Sequence, residues 1–163
     1  MKGLKDLVRP LKGIRAGVHY GCHLLKPSKN RPWKKTQKHT FLDDLVEATG
    51  AESVTYKDKN LCCGAGGGVR ASQAALSVDI AKEKLDNLID VGVDCIINVC
   101  SFCHLQYEMA QVQLNKELGE QRYQIPVIYY TQLLGLALGL DPESLGLDKH
   151  IVNTQPFLDK IGV

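Results

Sequence analysis

The stretch Val93-Asp94-Cys95-Ile96-Ile97-Asn98-Val99-Cys100-Ser101-Phe102-Cys103-His104 decides the fold. Its first seven residues, following Gly92 and rich in branched apolar side chains, read as a buried strand. That strand runs with no intervening loop into Cys100-x-x-Cys103. Phe102, Leu105, Met109 and Val112 then recur at helical spacing as far as Gly119. A strand that turns directly into a helix is half of a parallel β–α unit, and the two cysteines sit at its joint. Cys103 then falls in the helix's first turn, where unpaired N–H groups and the helix dipole favour a thiolate.

Working outward, three more short runs read as strands: Ile14–Tyr20, Glu52–Tyr56 and Ile125–Tyr130. Between them lie helical patterns. Phe41, Leu42, Leu45, Val46 and Thr49 share one face, with Gly50 as the stop. Val78, Ala81, Leu85, Leu88 and Ile89 make a second stripe, with Asp79, Lys82, Glu83, Asp86, Asn87 and Asp90 facing away. Thr131 reads as the N-cap of a helix over Gln132–Leu138, and residues 141–163 as one or two short helical turns, with Pro142 near the start of one. Four strands alternating with helices predict an α/β fold, a small parallel sheet flanked by helices. Residues 1–13 read as a connector and 14–163 as a single domain.

The composition is that of a soluble globular chain, 44% hydrophobic and 23% charged over 163 residues. No apolar run approaches the ~20 residues of a membrane helix. Nor does the basic N-terminus carry a signal-peptide apolar region, so the expected location is the cytoplasm. The net charge of +2 conceals an asymmetry: residues 1–40 hold eleven Lys or Arg against Asp6 alone, and 41–163 hold nine against seventeen acids. This fits an anionic ligand or an acidic partner as well as it fits a solvated lysine-rich face. Nucleic acid is disfavoured, because Trp33 is the only aromatic in the basic run 26–38 and no nucleic-acid motif is present.

Six cysteines in such a chain point to metal or redox chemistry rather than a disulfide scaffold. Cys22, the Cys62-Cys63 pair and Cys100 each fall at or just beyond a predicted strand end. Parallel strands bring those ends to one sheet edge, where open α/β sheets place ligands. Cys95, mid-strand among apolar neighbours, reads as a buried structural thiol. In Leu61-Cys62-Cys63-Gly64-Ala65-Gly66-Gly67-Gly68-Val69-Arg70, adjacent cysteines precede four glycines in five residues. Side chains of adjacent extended residues diverge, so the pair suits a centre of several metal atoms better than one ion. The glycines let backbone approach it closely. A structural zinc site built from Cys22, Cys62 or Cys63, Cys100 and Cys103 stays open. A phosphate-binding loop is disfavoured, for the final glycine of G-x-G-x-x-G and any Gly-Lys-Ser/Thr are missing. A dithiol at Cys100-x-x-Cys103 alone leaves the Cys62-Cys63 pair unexplained.

The pattern Cys-x39-Cys-Cys-Gly-x35-Cys-x-x-Cys resembles the signature of the CCG (cysteine-rich) domain family. Tyr20-Gly21-Cys22-His23-Leu24-Leu25, Arg31-Pro32, Cys62–Gly68 and Cys100-Ser101-Phe102-Cys103-His104-Leu105-Gln106 are similar to the B subunits of heterodisulfide reductases. The resemblance runs from about Pro10 to the C-terminus. It implies a noncubane [4Fe-4S] cluster held by Cys22, Cys62, Cys63, Cys100 and Cys103, with zinc as the alternative that some CCG units are reported to hold. It also implies an oxidoreductase subunit of methanogenesis that reduces the coenzyme M–coenzyme B disulfide with electrons from subunits A and C, flavin and ferredoxin-like iron–sulfur proteins. The alternative within the superfamily is a zinc-binding or electron-transfer module of a succinate/fumarate, glycolate or lactate-type complex.

Members of this kind carry two CCG units, and this chain resembles the C-terminal one. The resemblance thus implies one cluster and half of a substrate site, completed by a second CCG half or a homodimer copy, and no activity without partner subunits. For the chemistry, His23 is the candidate catalytic proton donor. His104 is a second histidine beside a ligand cysteine, and Lys26, Arg31 and Arg70 are candidate cations for a sulfonate or phosphate. An ordinary surface or supporting role is the plain alternative for each of these five.

Overall fold

The computed structural model describes residues 9–26 and 39–163. Four parallel strands, β1 (Arg15–His19), β2 (Glu52–Ser53), β3 (Cys95–Asn98) and β4 (Val127–Tyr129), form one sheet in the order β2-β1-β3-β4. Ala16 to His19 run in register beside Cys95 to Asn98, and Ile96 to Asn98 beside Val127 to Tyr129. The α/β fold with a four-stranded parallel sheet is as the sequence predicts. The second strand is shorter than expected: only Glu52 and Ser53 pair with β1, and Val54 N–H adds one bond to the Ala16 carbonyl.

Helices α1 (Cys22–Leu25) and α2 (Phe41–Ala48) lie between β1 and β2. Helices α3 (Val69–Ser72) and α4 (Ala74–Asp90) lie between β2 and β3, and α5 (Ser101–Leu118) between β3 and β4. Finally, α6 (Tyr130–Ala137) and α7 (Gln155–Ile161) close the chain. Strand alternation sorts the core into two layers. Ala16, Val18, Cys95, Ile97 and Ile128 meet α2, α6 and α7 on one face. Ile96 and Val127 meet Ala81, Leu85 and Leu88 of α4, and Tyr107, Ala110 and Leu114 of α5, on the other. Gly17 permits that second layer, since a Cβ there would come within 2.3 Å of Leu88 Cδ2.

From β1 the chain crosses to β2 over the first face, and from β3 it crosses to β4 over the second. The C-terminal ends of β1 and β3 therefore flank a topological switch point, the crevice in which doubly wound sheets bind ligands. Cys22 follows β1 there and Cys100 follows β3.

Two further sequence expectations change. The apolar stripe on α5 is not the buried one: Phe102, Leu105, Met109 and Val112 are 69%, 41%, 42% and 49% exposed. The inward face is Cys103, Gln106, Tyr107, Ala110, Gln111, Leu114 and Asn115. Two of its amides, Gln111 and Asn115, work as backbone surrogates, each pairing with both groups of one peptide position. Gln111 bonds the N–H and carbonyl of Ile125, at 2.7 and 3.0 Å. Asn115 bonds those of Tyr123, at 2.8 and 2.7 Å. Burial of such groups is tolerated because every polar atom finds a partner. The second change is at α6, which starts one residue before Thr131. Tyr129 is its N-cap, and Gln132 Oε1 accepts the Tyr129 N–H at 2.9 Å.

Candidate metal centre

Three loops bring the five cysteines of the predicted site together at the switch point. Cys22 opens α1, Cys62 and Cys63 lie in the loop between β2 and α3, and Cys100 caps α5 with Cys103 in its first turn. The cap is set by Asn98, whose Oδ1 accepts the Cys100 N–H at 3.2 Å. The adjacent thiols diverge. Cys63 Sγ lies 3.3 Å from Cys103 Sγ, whereas Cys62 turns toward Cys22 and accepts the Gly64 N–H at 3.3 Å.

The thiols shape one another electrostatically. The close Cys63–Cys103 contact, against the effect of burial and with His19 adding to it, holds Cys63 below the usual thiol range, and the same contact pushes Cys103 up. Burial, then the neighbouring Cys62, pushes Cys22 up. Cys95 faces the opposite core layer, fully buried, and burial raises its thiol as well. Its reading as a structural thiol stands.

Gly64 is the pivot of the loop. Its φ is +90°, and a Cβ would meet the Ser77 carbonyl at 2.6 Å. Ser77 Oγ donates to the Gly64 carbonyl at 2.9 Å, Gln106 Nε2 donates to both Ser77 oxygens at 2.9 Å, and Arg70 donates to Gln106 Oε1 at 2.6 Å. This chain of bonds fastens the glycine loop to α4 and α5.

Above the thiols opens a pocket of about 550 Å³, walled by Cys22, His23, Arg70, Cys100 and Phe102 with Gly66 to Gly68. His23 is thus at the mouth. Arg70 reaches the wall with its guanidinium braced by Gln106. Lys26 is exposed at the end of α1 and is not part of the pocket wall. Arg31 lies outside the described residues. His104 turns away from the pocket: it stacks on Tyr129 with ring centroids 4.4 Å apart, and its Nε2 is 3.3 Å from Glu108 Oε2. His150 Nδ1 lies 3.6 Å from the other Glu108 oxygen. Gln132, its amide oriented by the Tyr129 N–H and the Leu145 carbonyl, presents Nε2 to His150 Nε2 at 2.9 Å. That leaves the proton of neutral His150 on Nδ1, facing the carboxylate. His104, Glu108 and His150 form a second close cluster, with one ligand atom from each within 4.8 Å of the others, and Nδ1 of each histidine is buried without a hydrogen bond.

Two buried groups escape a reading of the sequence. His19, the last residue of β1, contacts the Tyr107 hydroxyl through Nδ1 at 3.2 Å. Its Nε2 is buried with no hydrogen-bond partner and gathers with the Cys63 and Cys103 sulfurs, all three ligand atoms within 4.8 Å. Strand alternation places His19 on the Gly17 face, away from Ala16 and Val18, and that is its one signal in the sequence. Lys84, 2% exposed on α4, donates to the carbonyls of Asp58, Lys59 and Leu61 at 2.7, 3.1 and 2.8 Å. Burial lowers it to about 8, with the nearby thiols acting in the opposite sense.

These residues fit an anionic sulfur-rich group. A buried imidazole nitrogen close to two of the thiols, a buried ammonium and thiols from three loops converge on one crevice. In this crevice Cys63, Cys103 and His19 approach one another as closely as ligands of a single ion do, and outside it His104, Glu108 and His150 do the same.

The profile of the CCG cysteine-rich domain matches residues 16–108, from β1 through the first half of α5. The chain belongs to the CCG cysteine-rich domain family. This CCG chain is 49% identical over 158 residues to the B subunit of the ferredoxin:CoB-CoM heterodisulfide reductase of Methanosarcina mazei, covering 97% of the chain and 52% of that protein. It is 36% identical over 149 residues to a protein of Archaeoglobus profundus described as like the B subunit of heterodisulfide reductase, 89% of the chain and 49% of the relative. It is 28% identical over 151 residues to the 8-methylmenaquinol:fumarate reductase membrane anchor subunit of Wolinella succinogenes, 92% and 52%. The chain thus spans about half the length of these relatives. Among the described residues of this CCG chain, no helix is long and apolar enough to cross a membrane.

Proposed function

We propose that this chain is the iron–sulfur half-site of a disulfide-reducing oxidoreductase of the heterodisulfide reductase type. The observation that carries the reading is the convergence of five thiols from three loops on the switch point, one more than a tetrahedral ion takes. Cys22, Cys62, Cys63, Cys100 and Cys103 would hold a noncubane [4Fe-4S] cluster, with His19 Nε2–H donating to its sulfur. When bound, such a cluster supplies single electrons and an iron able to take a thiolate.

The chain's own groups serve the rest of the reaction, in which a disulfide takes up two electrons and two protons and leaves as two thiols. His23 at the pocket mouth gives a proton to a released thiolate. Arg70, held by Gln106, presents a fixed cation to an anionic substrate tail, and Phe102 and Ala71 line the apolar approach. Lys26 and Arg31 add long-range attraction for the same anion. The coenzyme M–coenzyme B disulfide is the substrate, and subunits A and C deliver the electrons in the cytoplasm. A second cysteine-rich unit closes the pocket. This partner agrees with the half-length match to the relatives and with the exposed apolar face of α5, which begins at Phe102 in the pocket wall.

Metal analysis with EPR on anaerobically reconstituted protein tests the reading. About four irons per chain and a paramagnetic state on oxidation or reduction are expected. One zinc with no iron would instead support a second reading, a Cys2His zinc site, for which the close approach of His19, Cys63 and Cys103 is the favouring observation.

A further inference from the structure

Lys84 lies on α4 among the apolar residues Ala81, Leu85 and Leu88, where a lysine is rarely retained. Its ammonium has three donors, and three carbonyls take them: Asp58, Lys59 and Leu61, the turn that delivers the chain into Cys62. The same turn is held from its other side by the ion pair of Lys59 with Asp43, while Asp43 also accepts from Tyr20 and Ser53. Asp58 adopts φ 60°, so the turn is tight. The Tyr56 ring closes the cage, its centroid 6.0 Å from Lys84 Nζ.

Three neutral carbonyls orient this cation without cancelling its charge. No carboxylate is paired with Lys84 among the described residues, and the ammonium is kept from water. The acidic groups that bear on it are the thiols Cys63, Cys62 and Cys103 together with Asp58. A buried, unpaired charge is costly unless an opposite charge is nearby. The centre built on those thiols provides one.

We infer that Lys84 is a positioning residue for the metal centre: it pins the turn that aims Cys62 and Cys63, and it supplies buried positive charge that favours the reduced cluster. The effect rests on the iron–sulfur reading of the site. A fixed cation beside an electron acceptor stabilises the more negative state, so its removal lowers the midpoint potential.

The test compares Lys84→Gln and Lys84→Met with the wild-type chain. Glutamine keeps two donors for the carbonyls and removes the charge, whereas methionine removes both. Lys84→Gln is expected to retain iron and to show a more negative midpoint in an EPR-monitored redox titration. An unchanged midpoint overturns the inference. Should Lys84→Gln fail to retain iron, hydrogen exchange on the metal-free full chain decides. Faster exchange of the 59–63 amides in Lys84→Met, with α5 unchanged, supports the pinning, and exchange equal to wild type overturns it. Wild-type protein that takes up zinc and no iron would sink the iron–sulfur reading while leaving the exchange measurement intact.

Discussion

The two faces of the sheet differ in kind although the same four strands build both. The face under α2, α6 and α7 is an apolar layer of Val18, Ile97, Ile128, Leu133, Leu136 and Phe157, and Thr49 and Thr154 are the buried polar residues of its helices and their ends. Toward α4 and α5 the buried polar residues include His19, Ser77, Lys84, Asn98, Gln106, Gln111 and Asn115. Polar burial is costly and persists where every group is bonded or where chemistry requires it. One face of this molecule therefore maintains the fold, and the other spends stability to fix a loop, a helix terminus, an imidazole and a cation around the cysteines.

The largest effect that could break this contrast is between thiols. Cys63→Ser is expected to abolish iron binding on reconstitution, from about four irons per chain to near none. Cys95→Ala, on the opposite face, is expected to keep the iron and to cost about 1 kcal/mol of stability, the loss of a small buried apolar group. Iron content and thermal unfolding, measured on both variants, check the pair. Iron loss in Cys95→Ala would erase the division between faces.

The next pair sharpens it. Leu133 is fully buried in the apolar layer, and Leu133→Ala should cost about 3 kcal/mol through lost transfer energy and a cavity, with iron per folded chain unchanged. Gln106→Leu is nearly isosteric but strips partners from Arg70 and Ser77. It should cost about 2 kcal/mol, as unsatisfied buried groups do. Unlike Leu133→Ala, it should also lower iron retention, because Ser77 and Gly64 lose their anchor. Denaturant melts and iron-release rates distinguish the two. Equal iron release from both variants would mean that the bonded network serves stability alone.

The apolar face is more legible in the sequence than the polar one, for a physical reason. Alternation in β1 and β3, the joint at Cys100 and the stripe of α4 are periodic signals that follow from geometry. They are enough for the sheet, its parallel sense and the convergence of five thiols. A buried polar residue breaks that periodicity, and its partner is distant in the chain. Lys84 bonds a turn about 25 residues upstream, with separations of 23 to 26. Gln111 and Asn115 bond peptides whose positions only the fold reveals. On α5 the signal even inverts, because an exposed run of large apolar residues masks an inward face rich in amides. Adjacency to Cys103 suggests a place for His104 in the site, but one helical step of about 100° separates neighbours, and the step carries it to Glu108.

That inverted face gives the smallest expected change in stability and a distinct change in assembly. Leu105 and Val112 are exposed on the outer side of α5 and stand clear of the pocket. Replacing both by lysine should shift the chain's own stability by no more than about 0.5 kcal/mol, as for other surface substitutions. If a second cysteine-rich unit covers this face, the same change places two ammonium groups in an apolar contact and weakens association at least tenfold. The probe is the part of the M. mazei relative that this chain does not match, expressed separately and titrated against wild type and Leu105→Lys/Val112→Lys by calorimetry. Weaker binding with an unchanged melting temperature supports the docking surface, and equal binding by both refutes it. Self-association of the wild-type chain through this face, lost in the variant, would replace the second unit by a copy of the chain itself.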